Sequence, residues 1–266
     1  MAMIELGTTD SPTRFTLAVT PPLCVGPPGQ QFLFGGAGLG SAVAALEAST
    51  GRPTVWATAQ YLSFARPPAV LDLDVTVLVS GRYSSQARVT GHVGDTEILT
   101  VNAALGSRPD ARRYQAPAMP PFAPAADCPP MIYSWVRSPD DVNARFEQRI
   151  AFGRYGLARA SGGPSPDGRS AMWVRATDPG VVVDRVVLAL IADFLPGGIG
   201  SAMGLAVGGN SLDNTIRYGR LVPTEWVLCD IHIEAAIDGF AHGRMQLFAE
   251  DGTLLASASQ SMIVRG

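Results

Sequence analysis

Leu71-Asp72-Leu73-Asp74-Val75-Thr76-Val77 alternates apolar and polar residues without a break, the mark of a strand with one buried face. Similar patterning predicts strands over Phe15–Thr20, Thr54–Phe64, Leu71–Ser80, Ser84–His92 and Glu97–Leu105. Gly81-Arg82 and Gly94-Asp95 supply turns between them. Pro21, Pro22, Pro27, Pro28 and Gly29 mark an early loop. From Gly36 to Ser49 the small-residue run reads as a helix, although each glycine costs about 1 kcal/mol relative to Ala. That cost fits a helix whose backbone is approached closely, here by a sheet that wraps it. One helix followed by a run of strands is α+β organisation rather than the alternation of a parallel sheet.

The second half repeats the first. Phe34-Gly35-Gly36-Ala37-Gly38-Leu39-Gly40-Ser41-Ala42 has a counterpart in Phe194-Leu195-Pro196-Gly197-Gly198-Ile199-Gly200-Ser201-Ala202. Arg88 to Leu99 lines up without gaps on Arg244 to Leu255, each crossing an acidic turn. Such a duplication predicts two domains, 1–108 and 131–266. Between them, 109–130 holds seven prolines in 22 residues and reads as an extended linker packed along the surface. In the second half, strands are expected over Asn143–Ala151, Met172–Arg175 and Ser211–Arg220, a polar loop over Ser161–Arg169, and an apolar helix over Asp184–Ala192.

Composition narrows the function. Apolar residues make up 47% and charged residues 16% of the 266, which excludes a disordered chain. The net charge of −3, with arginine as its sole basic residue besides three histidines, leaves no surplus for wrapping nucleic acid. Cys24, Cys128 and Cys229 are widely spaced and read as buried thiols; neither they nor His92, His232 and His242 have metal-ligand spacing. No metal or cofactor is expected. The longest apolar run, Val181–Ile191, is interrupted by Asp184 and Arg185 and is short for a membrane span. A soluble cytoplasmic protein is the expectation, with no signal peptide evident.

Gly36-Ala37-Gly38-Leu39-Gly40 departs from the G-x-G-x-x-G spacing of dinucleotide binding and lacks a βαβ context. There is no G-x-S-x-G elbow. The informative residues are those that break the repeat. Aligned on Arg66 and Arg220, Ser211 falls opposite Ala57 and Asp213 opposite Ala59. Gln260 falls opposite Ala104, and Asp193 opposite Leu33. The second copy thus carries carboxylates, a hydroxyl and an amide where the first is apolar.

At these residues the chain resembles the acyl-CoA thioesterase II family. The resemblance spans nearly the whole chain and is most specific from Asp193-Phe194-Leu195-Pro196 through Ser211-Leu212-Asp213-Asn214 to Ala256-Ser257-Ala258-Ser259-Gln260. Leu33-Phe34-Gly35-Gly36 and Phe64-Ala65-Arg66-Pro67 match the family's first half. It implies a double hotdog, two tandem units each with a central helix wrapped by an antiparallel sheet, with acyl-CoA between them. It implies that Asp193, Ser211 (often Thr in the family) and Gln260 orient the hydrolytic water. Backbone N–H groups at Gly36 and Gly198 are expected to meet the oxyanion, and Arg66, Arg217 and Arg220 the CoA phosphates. A homo-oligomer, a dimer of double hotdogs, is expected from exposed sheet edges. Two other functions stay open: a hotdog hydratase or dehydratase, which would want a histidine near the active helix, and a non-catalytic acyl-CoA-binding protein.

Overall fold

The computed structural model describes residues 2–133, 138–158 and 162–266. The first half contains strands β1 (Gly7–Thr8), β2 (Arg14–Ala18), β3 (Cys24–Val25) and β4 (Phe32–Leu33), helix α1 (Gly35–Thr50), then β5 (Thr54–Tyr61), β6 (Val70–Ser80), β7 (Ser84–Val93) and β8 (Thr96–Gly106). The second contains β9 (Phe146–Phe152), β10 (Arg169–Ala176), helices α2 (Arg185–Ala192) and α3 (Gly198–Met203), then β11 (Gly208–Ser211), β12 (Asp213–Tyr218), β13 (Val227–Ile237), β14 (Phe240–Ala249) and β15 (Leu254–Arg265).

One antiparallel sheet runs through both halves in the order β1-β2-β6-β7-β8-β5-β12-β15-β14-β13-β10-β9, with β11 also on β15. The order β2-β6-β7-β8-β5 is mirrored by β10-β13-β14-β15-β12, so the duplication is topological as well as sequential. The seam is the β5–β12 pair, where Ala57 faces Ile216 and Thr58 faces Thr215, their hydroxyls 2.7 Å apart. The architecture is a double hotdog: a curved sheet around a central helix pair.

Alternation held where strands have one wet face. β7 buries Ser85, Ala87, Val89 and Gly91 and turns Ser84, Gln86 and Arg88 to solvent. Several ends moved for local reasons. The expected strand from Asn143 starts at Phe146, because Asp141 caps a single 3₁₀ turn at Val142–Arg145 by accepting from Ala144 N–H. The strand from Thr54 stops at Tyr61; Leu62 and Ser63 both donate their N–H to the Ile98 carbonyl and the chain peels away. The strand expected over Ser211–Arg220 is broken at Leu212, which donates to Ser261 O and accepts from Tyr61 N. Part of the expected polar loop, Ser161, lies outside the described residues.

The proline-rich segment lies against the outer face of the second half. Trp173 Nε1 donates to Ala123 O, the Gln115 side chain pairs with Gly252 O and Leu254 N, and Phe122 stacks on Phe152. These contacts cover a small separate core of Trp173, Trp226, Leu228 and Phe248. Cys24, Cys128 and Cys229 are free and buried.

The helices correct the sequence reading. The glycine-rich runs do not occupy matching places. The counterpart of α1 begins at Arg185, nine residues before the second run starts at Phe194, and is bent in two by the 3₁₀ turn Leu195–Gly197 around Pro196. Gly36 and Gly40 let α1 approach α2, and Gly38 lets it approach Leu99 of the sheet. A β-carbon at Gly36 would lie 2.8 Å from Leu190 O, and one at Gly40 3.3 Å from Val186 O. As α1 advances, α2 recedes, so the helices are antiparallel. Arg185–Met203, the one helical stretch among the described residues with the length and apolarity of a membrane span, is mostly buried and forms the core of the second half.

Gly36→Ala tests this packing. Ala gains about 1 kcal/mol of helix propensity, but its β-carbon overlaps the α2 backbone, and overpacking costs about 1–3 kcal/mol. The expected result is a lower urea midpoint at unchanged m. A midpoint at or above wild type would show that the helices can separate freely.

Candidate active site

Antiparallel pairing brings the C-terminus of α2 beside the N-terminus of α1. Phe34, the N-cap residue of α1, provides no side-chain cap. Asp193, the C-cap residue of α2, does so from the other half: its Oδ2 accepts from Gly36 N–H at 2.7 Å. The positive end of α1 favours a carboxylate there.

Two more donors converge on the other carboxylate oxygen. Ser211 Oγ, at the end of β11, donates to Asp193 Oδ1 at 3.0 Å, and Gln260 Nε2 at 2.7 Å. Gln260 occupies an inward position of β15, in line with buried Ala256, Ala258 and Met262. The carboxylate orients its amide, since the acceptor-only oxygen requires the NH₂ side. Asp193 is 5% and Gln260 3% exposed. Burial is the main influence on the Asp193 carboxyl and pushes its pKa up to about 6, against the bonds from Gln260, Gly36 and Ser211.

Asp193 and Ser211 open onto a cavity of about 420 Å³ between the halves. Leu33, Phe34, Leu62, Ile98 and Leu99 give it apolar walls from the first half, and Pro196, Leu212 and Ile263 from the second. Gln260 is not on the wall and reaches the carboxylate from behind.

The other expected site residues divide. Gly36 is at the site, but its N–H is engaged by Asp193. Gly198 is elsewhere: its N–H closes the 3₁₀ turn and its α-carbon packs on Ile231 and Ser170, because the second glycine run matches the later part of α1, not its start. Arg66 is exposed beside the wall residues Phe64 and Ala65 and donates to Gln30 O. Arg217 and Arg220 are exposed and do not line the cavity. Asp213, the remaining polar break in the repeat, accepts from Ser261 N–H at 2.7 Å and stays off the wall.

The sequence reading missed Tyr61, Asn143, Asn210 and Arg265, all on the wall. Arg265 ends the last strand, and Tyr61 sits in an ordinary strand pattern, so neither carries a local signal. No histidine is among the wall residues: His92 bonds Asp74 and Gly94, His242 bonds Ser261, and His232 lies near Asp230. No cluster of metal-ligating side chains occurs among the described residues.

This fold defines a hotdog protein, and its matches place it in the thioesterase class. A family model, acyl-CoA thioesterase C-terminal domain, matches residues 117–264. A solved structure from Novosphingobium aromaticivorans, provisionally described as a thioesterase, is 36% identical, with TM-score 0.88 and 98% of each chain covered. A hot dog fold protein of unknown function from Alicyclobacillus acidocaldarius is 17% identical, with TM-score 0.84, covering 98% of this chain and 96% of that one. An acyl-CoA thioesterase II from Mycobacterium marinum is 20% identical, with TM-score 0.75, covering 99% and 96%. Among curated proteins there is no match. The chain belongs to the acyl-CoA thioesterase family.

The raised Asp193 pKa makes a linkage prediction. The folded state holds this proton more tightly than the unfolded chain. Its stabilising contribution is therefore complete below pH ~4 and lost as pH rises through ~6, on the order of 3 kcal/mol. Unfolding free energy of wild type minus that of Asp193→Asn is expected to fall by that order between pH 4 and 7. A flat difference would mean an ordinary carboxylate. Carboxyl ¹³C shifts are expected to titrate near pH 6, and higher in Ser211→Ala.

Proposed function

We propose that this protein hydrolyses acyl-CoA thioesters to the free acid and CoA, with Asp193 as general base. The observation that carries the reading is the convergence of Gly36 N–H, Ser211 Oγ and Gln260 Nε2 on one buried carboxylate at the wall of a mostly apolar cavity. A carboxylate has about four acceptor positions, and three are occupied, leaving one for a proton from water. A base with a pKa of about 6 is ionised at neutral pH yet still basic enough to accept that proton.

Water attacks the thioester carbonyl carbon as Asp193 takes its proton, forming the C–O bond. The tetrahedral oxyanion then collapses and the C–S bond breaks. Asp193 returns the proton to the departing CoA sulfur, and the free acid remains. Ser211, on the wall, also accepts from the water and aims it. Gln260 is a positioning residue that keeps the carboxylate turned toward the cavity. The apolar walls receive the acyl chain. Exposed Arg265 and Arg66 at the rim suit the CoA phosphates.

Thiol release from a series of acyl-CoA esters of different length is the direct assay. Asp193→Asn is expected to lower kcat by at least ~10²-fold, and Gln260→Ala also, though less. Ser211→Thr keeps the hydroxyl and retains activity. The kcat/KM profile is expected to fall below pH ~6 as Asp193 protonates. Wild-type kcat in both Asp193→Asn and Gln260→Ala rejects this mechanism.

Arg265→Ala gives a separate reading of the rim. Its expected effect is a several-fold higher KM at nearly constant kcat, shrinking with added salt as exposed charge pairs are screened. An unchanged KM at low salt would remove Arg265 from the CoA site.

A further inference from the structure

Tyr61 ends β5 on the cavity wall. Its Oη is buried and has no hydrogen-bond partner among the described residues. Both polar atoms of the Asn214 side chain, on the adjoining strand β12, are buried and unpartnered as well. Buried polar groups are nearly always paired, so an orphan at a cavity wall points to a partner that arrives with a ligand.

The position of Oη is informative. A β-carbon built on Gly35 would stand 3.1 Å from Tyr61 Oη, 2.9 Å from its Cζ and 2.8 Å from Asp193 Oδ2. The phenol and the carboxylate oxygen thus flank the same bare backbone at the start of α1. Burial, reinforced by the charges of Asp193 and Asp213, holds the phenol well above its ordinary pKa, while the neighbouring Asn214 amide, close to Oη but outside direct hydrogen-bond geometry, acts in the opposite direction. Tyr61 is therefore a neutral donor at working pH and no base. Donors for the oxyanion are scarce: Gly36 N–H is spent on Asp193, and Gly198 N–H is spent in its own turn.

We infer that Tyr61 is a catalytic residue whose hydroxyl donates a hydrogen bond to the thioester carbonyl oxygen, stabilising the oxyanion while Asp193 activates the water. This rests on the hydrolytic reading above. The proton stays on Oη throughout, so the step needs no further acid.

Two measurements test it on the full chain with Tyr61→Phe, which removes one oxygen. In thiol release from decanoyl-CoA, kcat is expected to drop about 10²-fold, with KM within about threefold and an unchanged melting temperature. In the infrared spectrum of the bound decanoyl-CoA ketone analogue, where a methylene replaces the thioester sulfur, the carbonyl stretch is expected at lower frequency in wild type than in the variant. Wild-type kcat in Tyr61→Phe, with identical stretches, overturns the role of Tyr61 and leaves hydrolysis standing. A Tyr61-dependent stretch without thiol release by wild type sinks hydrolysis and keeps the contact. Failure to bind the analogue and to release thiol overturns both.

Discussion

The bond from Gly36 N–H to Asp193 is the contact on which the site depends. It joins the N-terminus of one central helix to the C-terminus of the other, across the two halves. It forms because the helices run antiparallel and because glycines let α1 come within van der Waals reach of the α2 backbone. Neither half holds the site alone. The first gives an uncapped helix start and much of the apolar wall; the second gives the carboxylate and the Ser211 and Gln260 donors.

Burying a carboxylate in such a place opposes its ionisation, and three hydrogen bonds only partly offset this. The balance holds the group near neutrality, where a small change in its surroundings changes its protonation. The surroundings are correspondingly stiff. Phe194, next in the chain, packs against both Phe34 and Phe146, and Gln260 is held in a central strand of the second half. The hydroxyl of Tyr61, the amide of Asn214 and the Oε1 of Gln260 are polar atoms nearby that the fold itself leaves unsatisfied among the described residues.

The duplication has not been used symmetrically. At the opposite end of the helix pair, where α1 finishes and α2 begins, Glu47 accepts from Thr54 N–H and lies 3.7 Å from Arg185. Arg185 donates to Thr54 O, and Tyr218 donates to the Arg185 carbonyl. There an ion pair and hydrogen bonds to backbone tie the ends together. One end of the pair is organised for cohesion, and the other exposes a carboxylate to a cavity.

The chain alone determined its duplication, its strands and the Asp193, Ser211 and Gln260 set. The first two are written in local alternation and self-similarity; the breaks in the repeat offered Asp193, Ser211, Asp213 and Gln260, and the family resemblance singled out three of them. The stretches 33–36, 64–67, 193–196, 211–214 and 256–260 carried the family resemblance. Tertiary structure alone decided that the two glycine runs are not equivalents, that Gly198 is off the cavity wall, and that Asp213 is consumed by Ser261 N–H. It alone brought Tyr61 beside Asp193. The physical reason is range. Alternation and turn chemistry act over a few residues, whereas a helix start capped from 157 positions away, or a tyrosine left without a partner, exists only once both halves have packed.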